Sequence, residues 1–417
     1  MLSSSKTLAE KNNSIKSNAI LIVGSLFGNM MEYFDFTLYS IFAISLGKAF
    51  FPNHAIETQE ILSFVIFAIG FVTRPLGGIV FGYIGTYLSR KTSLILSSLF
   101  MSLSTLSIGF IPSSEEIGIK ATYLLILIRA IQGLCVSGEG AVIAVYLLGK
   151  IKSVRHGLIT GIVHGSNLAG TVLAGILGLY IHYHNLDWRI GFIIGGTMSF
   201  IGLILRLAIK DEENVSQEKP AVAANLLKHH KQILLTVAMA GLASSMTYTG
   251  KSYLNIFFAN KYQNTGYGIW YTTIIGTMIM ILMPIAGLLN DRLGPQKLLR
   301  RVLWSIALFI IPTFLLMENN NFYVEFIGIF IFCSMTANAA TTSYLFCIKL
   351  FANQYRFFNI GFGYNLGVAL LGGTTPAISA YLVSILKFSY APSLYILFNV
   401  MIVAWLLNRN KIKLLDI

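Results

Sequence analysis

Charge is what this sequence lacks most. Only 11% of its 417 residues are Asp, Glu, Lys or Arg, against 55% hydrophobic, and the mean hydropathy is +0.71. A soluble domain carries about 25% charged residues, so there is too little charge here to cover a water-facing surface. Cysteine is scarce as well. Cys135, Cys333 and Cys347 all fall in apolar runs, without metal-ligand spacing or a loop partner, which leaves them as small packing residues. There is no phosphate-cradling glycine loop followed by lysine, so a nucleotide-driven pump is unsupported. Nothing resembles a nucleophile–base set. The only histidine cluster in a short loop outside the membrane, His182-Tyr183-His184 with Asp187 nearby, is a weak metal signal. The expectation is therefore no enzymatic activity and no cofactor. Repeated polar rings that would line a channel are also missing.

What is present are apolar runs of about 20 residues from end to end, the mark of a polytopic α-helical membrane protein. Runs this long exclude barrel strands, and in lipid only closed helices then satisfy the backbone. The pattern predicts twelve spans: 19–47, 58–85, 92–111, 117–149, 158–181, 189–209, 232–258, 267–289, 302–317, 323–350, 359–385 and 392–408. Residues 1–18 are polar and lack the short apolar core of a cleaved signal, so the first span is expected to stay as a helix.

The net charge of +13 comes from 30 Lys and Arg against 17 Asp and Glu. Its distribution speaks against a nucleic-acid partner. The tails and even-numbered loops collect the cations, among them Lys16, Arg90, Lys91, Lys150, Arg206, Lys297, Arg301 and Lys411. The odd loops hold only Lys48, Lys120, Arg189, Lys261 and Lys387. By the positive-inside rule both termini face the cytoplasm. The expected partner on these grounds is the bilayer, and the expected state is a monomer.

The longest hydrophilic stretch, 210–231, separates an N-terminal bundle (19–209) from a C-terminal one (232–408), with tails at 1–18 and 409–417. A Gly-rich turn recurs after the second span of each half, "GYIGTYLSRK" (82–91) and "GLLNDRLGPQK" (287–297). Recurrence at the same relative place argues for two pseudo-symmetric halves, the layout of secondary transporters with a site between repeats.

The segments "GNMMEYFDF" (28–36), "RPLGG" (74–78), "IRAIQGLCVSGEG" (128–140), "WRIGF" (188–192) and "GYNLGVALLGGTTP" (363–376) together resemble the major facilitator superfamily. Within it they resemble the metabolite:proton symporters for proline/betaine, α-ketoglutarate and citrate. "LGKAFFP" (46–52) looks most like the proline/betaine branch. The resemblance implies twelve helices in two six-helix bundles and proton-coupled symport by alternating access. The family's first cytoplasmic turn reads G-x-x-x-D-x-x-G-R-[KR]. Here Thr86 replaces the acid and Ser89 the second glycine, while Gly82, Arg90 and Lys91 remain; the second-half copy keeps Gly287, Asp291, Arg292 and Gly294. The resemblance also implies a gate in which Glu139 pairs with Arg90, with Lys91, Asp291 and Arg292 taking part. No counterpart of the proline/betaine carrier's long C-terminal extension follows the last span, so osmotic sensing is not expected.

Charges at bilayer depth cost several kcal/mol unless paired or hydrated, which makes them functional candidates. At about 1.5 Å of rise per residue, Arg129 lies roughly 17 Å below the outer end, Asp35 and Arg74 roughly 21 Å, and Glu32 roughly 25 Å. Two acids and two arginines on three spans thus share one layer, and Glu32 and Asp35 share a helix face. They are read either as a proton carrier beside a solute-binding group or as ion pairs that fix packing. Arg129 with Gln132 resembles the superfamily's proton-coupling motif on the fourth span. Arg74, ahead of Pro75, contacts solute or supports packing. Lys251 either sends its stem to the outer interface or lines the site, and Tyr248 and Tyr253 either join it or belong to the aromatic belt. His164, about two turns from the cytoplasmic end, is read as a hydrated interfacial histidine ahead of a proton relay. Asn167, Asn338, Tyr364 and Asn365 either bind solute or hold helices together. The fifth span lacks the Gly-Pro signature of drug/proton antiporters. The expected function is proton-coupled uptake of a small carboxylate-bearing solute across a bacterial inner membrane. A proline/betaine zwitterion comes first, and a di- or tricarboxylate symporter or exchanger second.

Overall fold

The computed structural model describes residues 23–24, 26–136, 147–148, 155–207, 228–409 and 414–415. Among the described residues every regular element is helical. Ten of these helices are long and apolar enough to cross a bilayer. A shorter apolar helix at Arg189–Ile204 and the helical stretch 26–50 bring the crossings to twelve.

In chain order the first span is 26–50, the second is Ile56–Val72 continued by Arg74–Tyr87, and the third is Arg90–Phe110. Ile119–Val136, His156–Tyr183 and Arg189–Leu207 are the fourth to sixth. The seventh is His230–Tyr248 extended through Lys261, followed by Thr265–Leu293, Pro295–Glu318 and Phe322–Lys349. The eleventh runs from Asn353 to Leu386 in three pieces, and the twelfth is Pro392–Arg409.

Local chemistry sets the ends. Asn264 and Asn321 cap the eighth and tenth spans by accepting from the backbone N–H of Gly266 and Tyr323 at 2.8 and 2.9 Å. The ninth span starts at Pro295, seven residues before the predicted 302. Gly294 takes φ +78° to end one helix and Pro295 fits the first turn of the next. Lys297, Arg300 and Arg301 are helical but too polar for the apolar window to include. Ser89, where the second-half copy has Gly294, has φ −163°, so no glycine is required; its hydroxyl accepts from Thr92 N–H at 3.0 Å. Arg90 and Lys91 accordingly open the third helix instead of lying in a loop. Arg206, counted above as a loop cation, is 1% exposed and donates to Leu94 O and Ser98 Oγ.

Among the described residues, the second, seventh and eleventh spans are interrupted near their middles. The second breaks at Thr73, ahead of Pro75, whose ring nitrogen cannot donate. The seventh and eleventh carry π turns at Thr249–Tyr253 and Val368–Gly372. Such turns cluster at functional sites.

The buried apolar residues form two cores, one for each bundle, and each core borrows a few side chains from the other half. The halves meet backbone to backbone near the lysine- and arginine-rich end. A Cβ on Gly157 would lie 2.3 Å from Gly287 O, and one on Gly161 would lie 2.4 Å from Met283 O. These contacts bring the fifth span against the eighth, beside Pro284. This seam holds the two halves together at the basic end.

Candidate functional site

Asp35 and Arg129 come together in the first bundle. Arg129 Nη1 stands 3.7 Å from Asp35 Oδ2, with the two side chains 0% and 1% exposed. Gln132, one helical turn from Arg129, bridges them. Its Nε2 donates to Asp35 Oδ2 at 2.9 Å and to Thr105 Oγ1 at 3.2 Å, and its Oε1 accepts from Arg129 Nη1 at 2.9 Å. The guanidinium is boxed by aromatic rings, 4.3 Å from the centroid of Tyr39, 4.6 Å from Phe36 and 5.2 Å from Phe67. Asp35 Oδ1 and Arg129 Nε and Nη2 have no hydrogen-bond partner among the described residues. The pair is sealed from lipid yet holds spare hydrogen-bonding capacity, so a change of protonation there is strongly felt.

A second set of charges lies where the halves meet. Arg74 sits over Phe36 and Phe71 at 4.5 and 4.4 Å and hydrogen-bonds the Tyr248 hydroxyl. Lys251 Nζ stands over Tyr248 at 4.5 Å and over Tyr33 at 4.7 Å. Glu32 and Arg74 are the charged groups that act on it most. Lys251 is 9% exposed, so the stem that could have reached the outer interface turns inward instead. It lies in the π turn of the seventh span, and that turn shifts the side-chain register from the one a regular helix predicts. Tyr248 and Tyr253 are likewise buried, at 4% and 6%, and are not belt residues. Tyr253 donates to Ser389 O at 2.8 Å and is tied to the loop before the twelfth span.

His164 corrects another expectation. It is 8% exposed, edge-on to Tyr344 at 4.5 Å, and its Nε2 has no hydrogen-bond partner among the described residues. Tyr344 packs against it and leaves it buried within the protein instead of at an open interface. His164, Asn167, Tyr33, Tyr248 and Tyr364 line a cavity of about 20 Å³. A second cavity of about 10 Å³ is bordered by Phe36, Phe67, Tyr248 and Lys251. Asn338 and Asn365 do not join this cluster through their amides, which donate to Ser334 O and Gly361 O in their own helices at 2.9 and 2.6 Å.

Near the basic end, Asp291 reaches across the halves. Its Oδ1 accepts from Gly157 N–H at 2.6 Å and its Oδ2 from Leu158 N–H at 3.0 Å, which caps the start of the fifth span. Arg292 beside it is exposed. Glu139 and the side chains of Thr86 and Arg90 lie outside the described residues, and with them the Glu139–Arg90 pair. His182 and His184 are exposed, and among the described residues no three His, Cys, Asp or Glu side chains group as metal ligands do.

Sequence reasoning missed Tyr33, Tyr344, Phe71 and Thr105. Aromatics adjoining a buried charge were the available signal, since Tyr33 follows Glu32 and Phe71 lies one turn before Arg74. In so aromatic a chain that signal carries little weight.

Residues 25–356 match the sequence profile of the Major Facilitator Superfamily. A putative proline/betaine transporter of Staphylococcus aureus is 28% identical over 393 residues, covering 90% of this chain and 84% of the relative. A proline/betaine transporter of Salmonella typhimurium is 29% identical over 407 residues, covering 90% and 80%. Among solved structures, the proton:xylose symporter XylE superposes with a TM-score of 0.75 at 14% identity, over 95% of this chain and 96% of that one.

Proposed function

This chain belongs to the Major Facilitator Superfamily and is a multi-pass membrane transporter, and from that premise we propose that it couples proton entry to uptake of a small zwitterion of proline or betaine type by alternating access. The observation that carries the reading is the division of buried charge into two sets. Asp35, Arg129 and Gln132 form a sealed pair inside one bundle, suited to taking and releasing a proton. Glu32, Arg74 and Lys251 lie with Tyr33 and Tyr248 between the bundles, where a solute must pass. A guanidinium grips a carboxylate, while an acid with aromatic faces suits an ammonium. The proline/betaine transporters among the relatives support that choice of solute. The excess of cations, three against Glu32 and Asp35, favours a di- or tricarboxylate as the second reading.

We place the basic end at the cytoplasmic face of a bacterial inner membrane, on the distribution of the loop cations. Asp291 then acts as a cytoplasmic clasp. A side-chain cap contributes about 1 kcal/mol, or about fivefold in a two-state population. Asp291→Ala should raise labelling of a cysteine placed at Met283, which is 1% exposed, about fivefold in detergent. Unchanged labelling would remove the clasp.

The functional test is uptake of radiolabelled proline, betaine, α-ketoglutarate and citrate into proteoliposomes, with and without an inward proton gradient. Saturable proline or betaine uptake that the gradient drives uphill is expected. Uptake indifferent to the gradient would reject coupling, and uptake of α-ketoglutarate or citrate alone would move the assignment to the second reading.

A further inference from the structure

Lys251 is the charge that a proton site and a carboxylate grip leave unexplained. Its ammonium is held between one ring from each half, 4.7 Å from Tyr33 and 4.5 Å from Tyr248. Glu32 attracts it and Arg74 repels it. Facing rings with an acid nearby form a site for a substituted ammonium, because the ring quadrupoles attract a cation that has few or no N–H groups to donate. A zwitterion whose carboxylate docks on Arg74 would place its own ammonium in these rings. Lys251 already occupies them. The adjoining cavities, about 10 and 20 Å³, have room for a water each and not for a solute. A solute therefore gains this position by displacement, and the four-carbon stem of lysine can swing its ammonium away.

We propose that Lys251 is a tethered placeholder in the solute's cation site and that the solute binds by exchange. The incoming ammonium takes the space between Tyr33 and Tyr248, and Lys251 moves with Arg74 onto the incoming carboxylate. Glu32 keeps a cation beside it before and after, so no step leaves that acid buried without an opposite charge. The exchange rests on the zwitterion reading of the same chamber. It carries a selectivity of its own. A carboxylate without an ammonium gains Lys251 as a partner. An ammonium without a carboxylate must evict Lys251 and gives it nothing to bind.

The test uses the purified full-length chain in lipid nanodiscs and equilibrium binding of labelled glycine betaine. Two competitors each carry half of its chemistry: 3,3-dimethylbutanoate, the same shape with carbon in place of the ammonium nitrogen, and choline, a quaternary ammonium without the carboxylate. In the wild type, dimethylbutanoate should displace the label at a concentration at least about tenfold below that of choline. In Lys251→Met the rings are vacant, so choline should compete about tenfold better than in the wild type and dimethylbutanoate about tenfold worse. Betaine binding with the same choline competition in both proteins would overturn the exchange and leave the zwitterion reading standing. Absence of saturable betaine and proline binding in the wild type would overturn both. Should Lys251→Met not fold, the wild-type ranking still decides, since choline competing as well as dimethylbutanoate defeats the proposal.

Discussion

Asp35→Asn is expected to separate solute movement from its driving force. Proteoliposomes bearing the variant should exchange labelled for unlabelled solute within about threefold of the wild-type rate, yet fail to concentrate it under a proton gradient. One pH unit is worth about 1.4 kcal/mol, so a one-proton symporter concentrates solute up to about tenfold and an uncoupled one not at all. The geometry makes this substitution informative. Asparagine keeps the shape of the side chain and an oxygen for Gln132 Nε2, which now bonds Asp35 Oδ2 at 2.9 Å. What is lost is the titrating charge. Arg129 then lacks its acid, but the rings of Phe36, Tyr39 and Phe67 still surround it, so the fold should survive. Retained counterflow is the check on that. Glu32→Gln should behave differently, with weaker zwitterion binding and intact coupling of whatever solute remains bound. An Asp35→Asn transporter that still concentrates solute would move the proton to another group.

How much of this was legible beforehand depends on the kind of signal. Twelve crossings follow from hydropathy alone, because a bilayer demands an apolar run wherever a helix crosses it. Asp35, Arg129 and Arg74 stood out for the complementary reason, that charge in such runs is rare and costly. Helical rise could place Asp35 and Arg129 in one layer, and the structure brings them within 3.7 Å. Lys251 was harder. Its direction depends on the π turn at Thr249–Tyr253, and periodicity assumes a regular helix. His164 was misjudged because distance along a helix says nothing of how closely the next helix packs, and Tyr344 covers it. Asn338 and Asn365 could have faced either way, and the i−4 carbonyl of each helix claimed the amide. Asp291 is the opposite case. The repeated turn marked it, but its partners are backbone N–H groups on the fifth span, which no residue pattern could name.

Closure of the basic end should fail outright in Gly161→Leu. Gly161 needs no unusual backbone angle; what it needs is space. A Cβ there would lie 2.4 Å from Met283 O and 3.0 Å from Pro284 Cα, backbone atoms that no rotamer change can move aside. The fifth and eighth spans would have to part, and parting them also draws Asp291 away from Gly157 and Leu158. Overpacking costs about 1–3 kcal/mol and a lost cap about 1 kcal/mol more. Together these come to about 2–4 kcal/mol, so a closed state favoured by less than about 2 kcal/mol should be largely emptied. Spin labels at Arg155 and Lys297, on either side of the seam, should then report a second, longer distance as the major population. Uptake should fall below about a tenth of wild type because the solute-binding side seldom faces outward. Gly161→Ala, which adds the Cβ alone, should fall between the two. Wild-type distances together with wild-type uptake in Gly161→Leu would mean that the seam yields more easily than its backbone contacts imply, and that closure is held elsewhere.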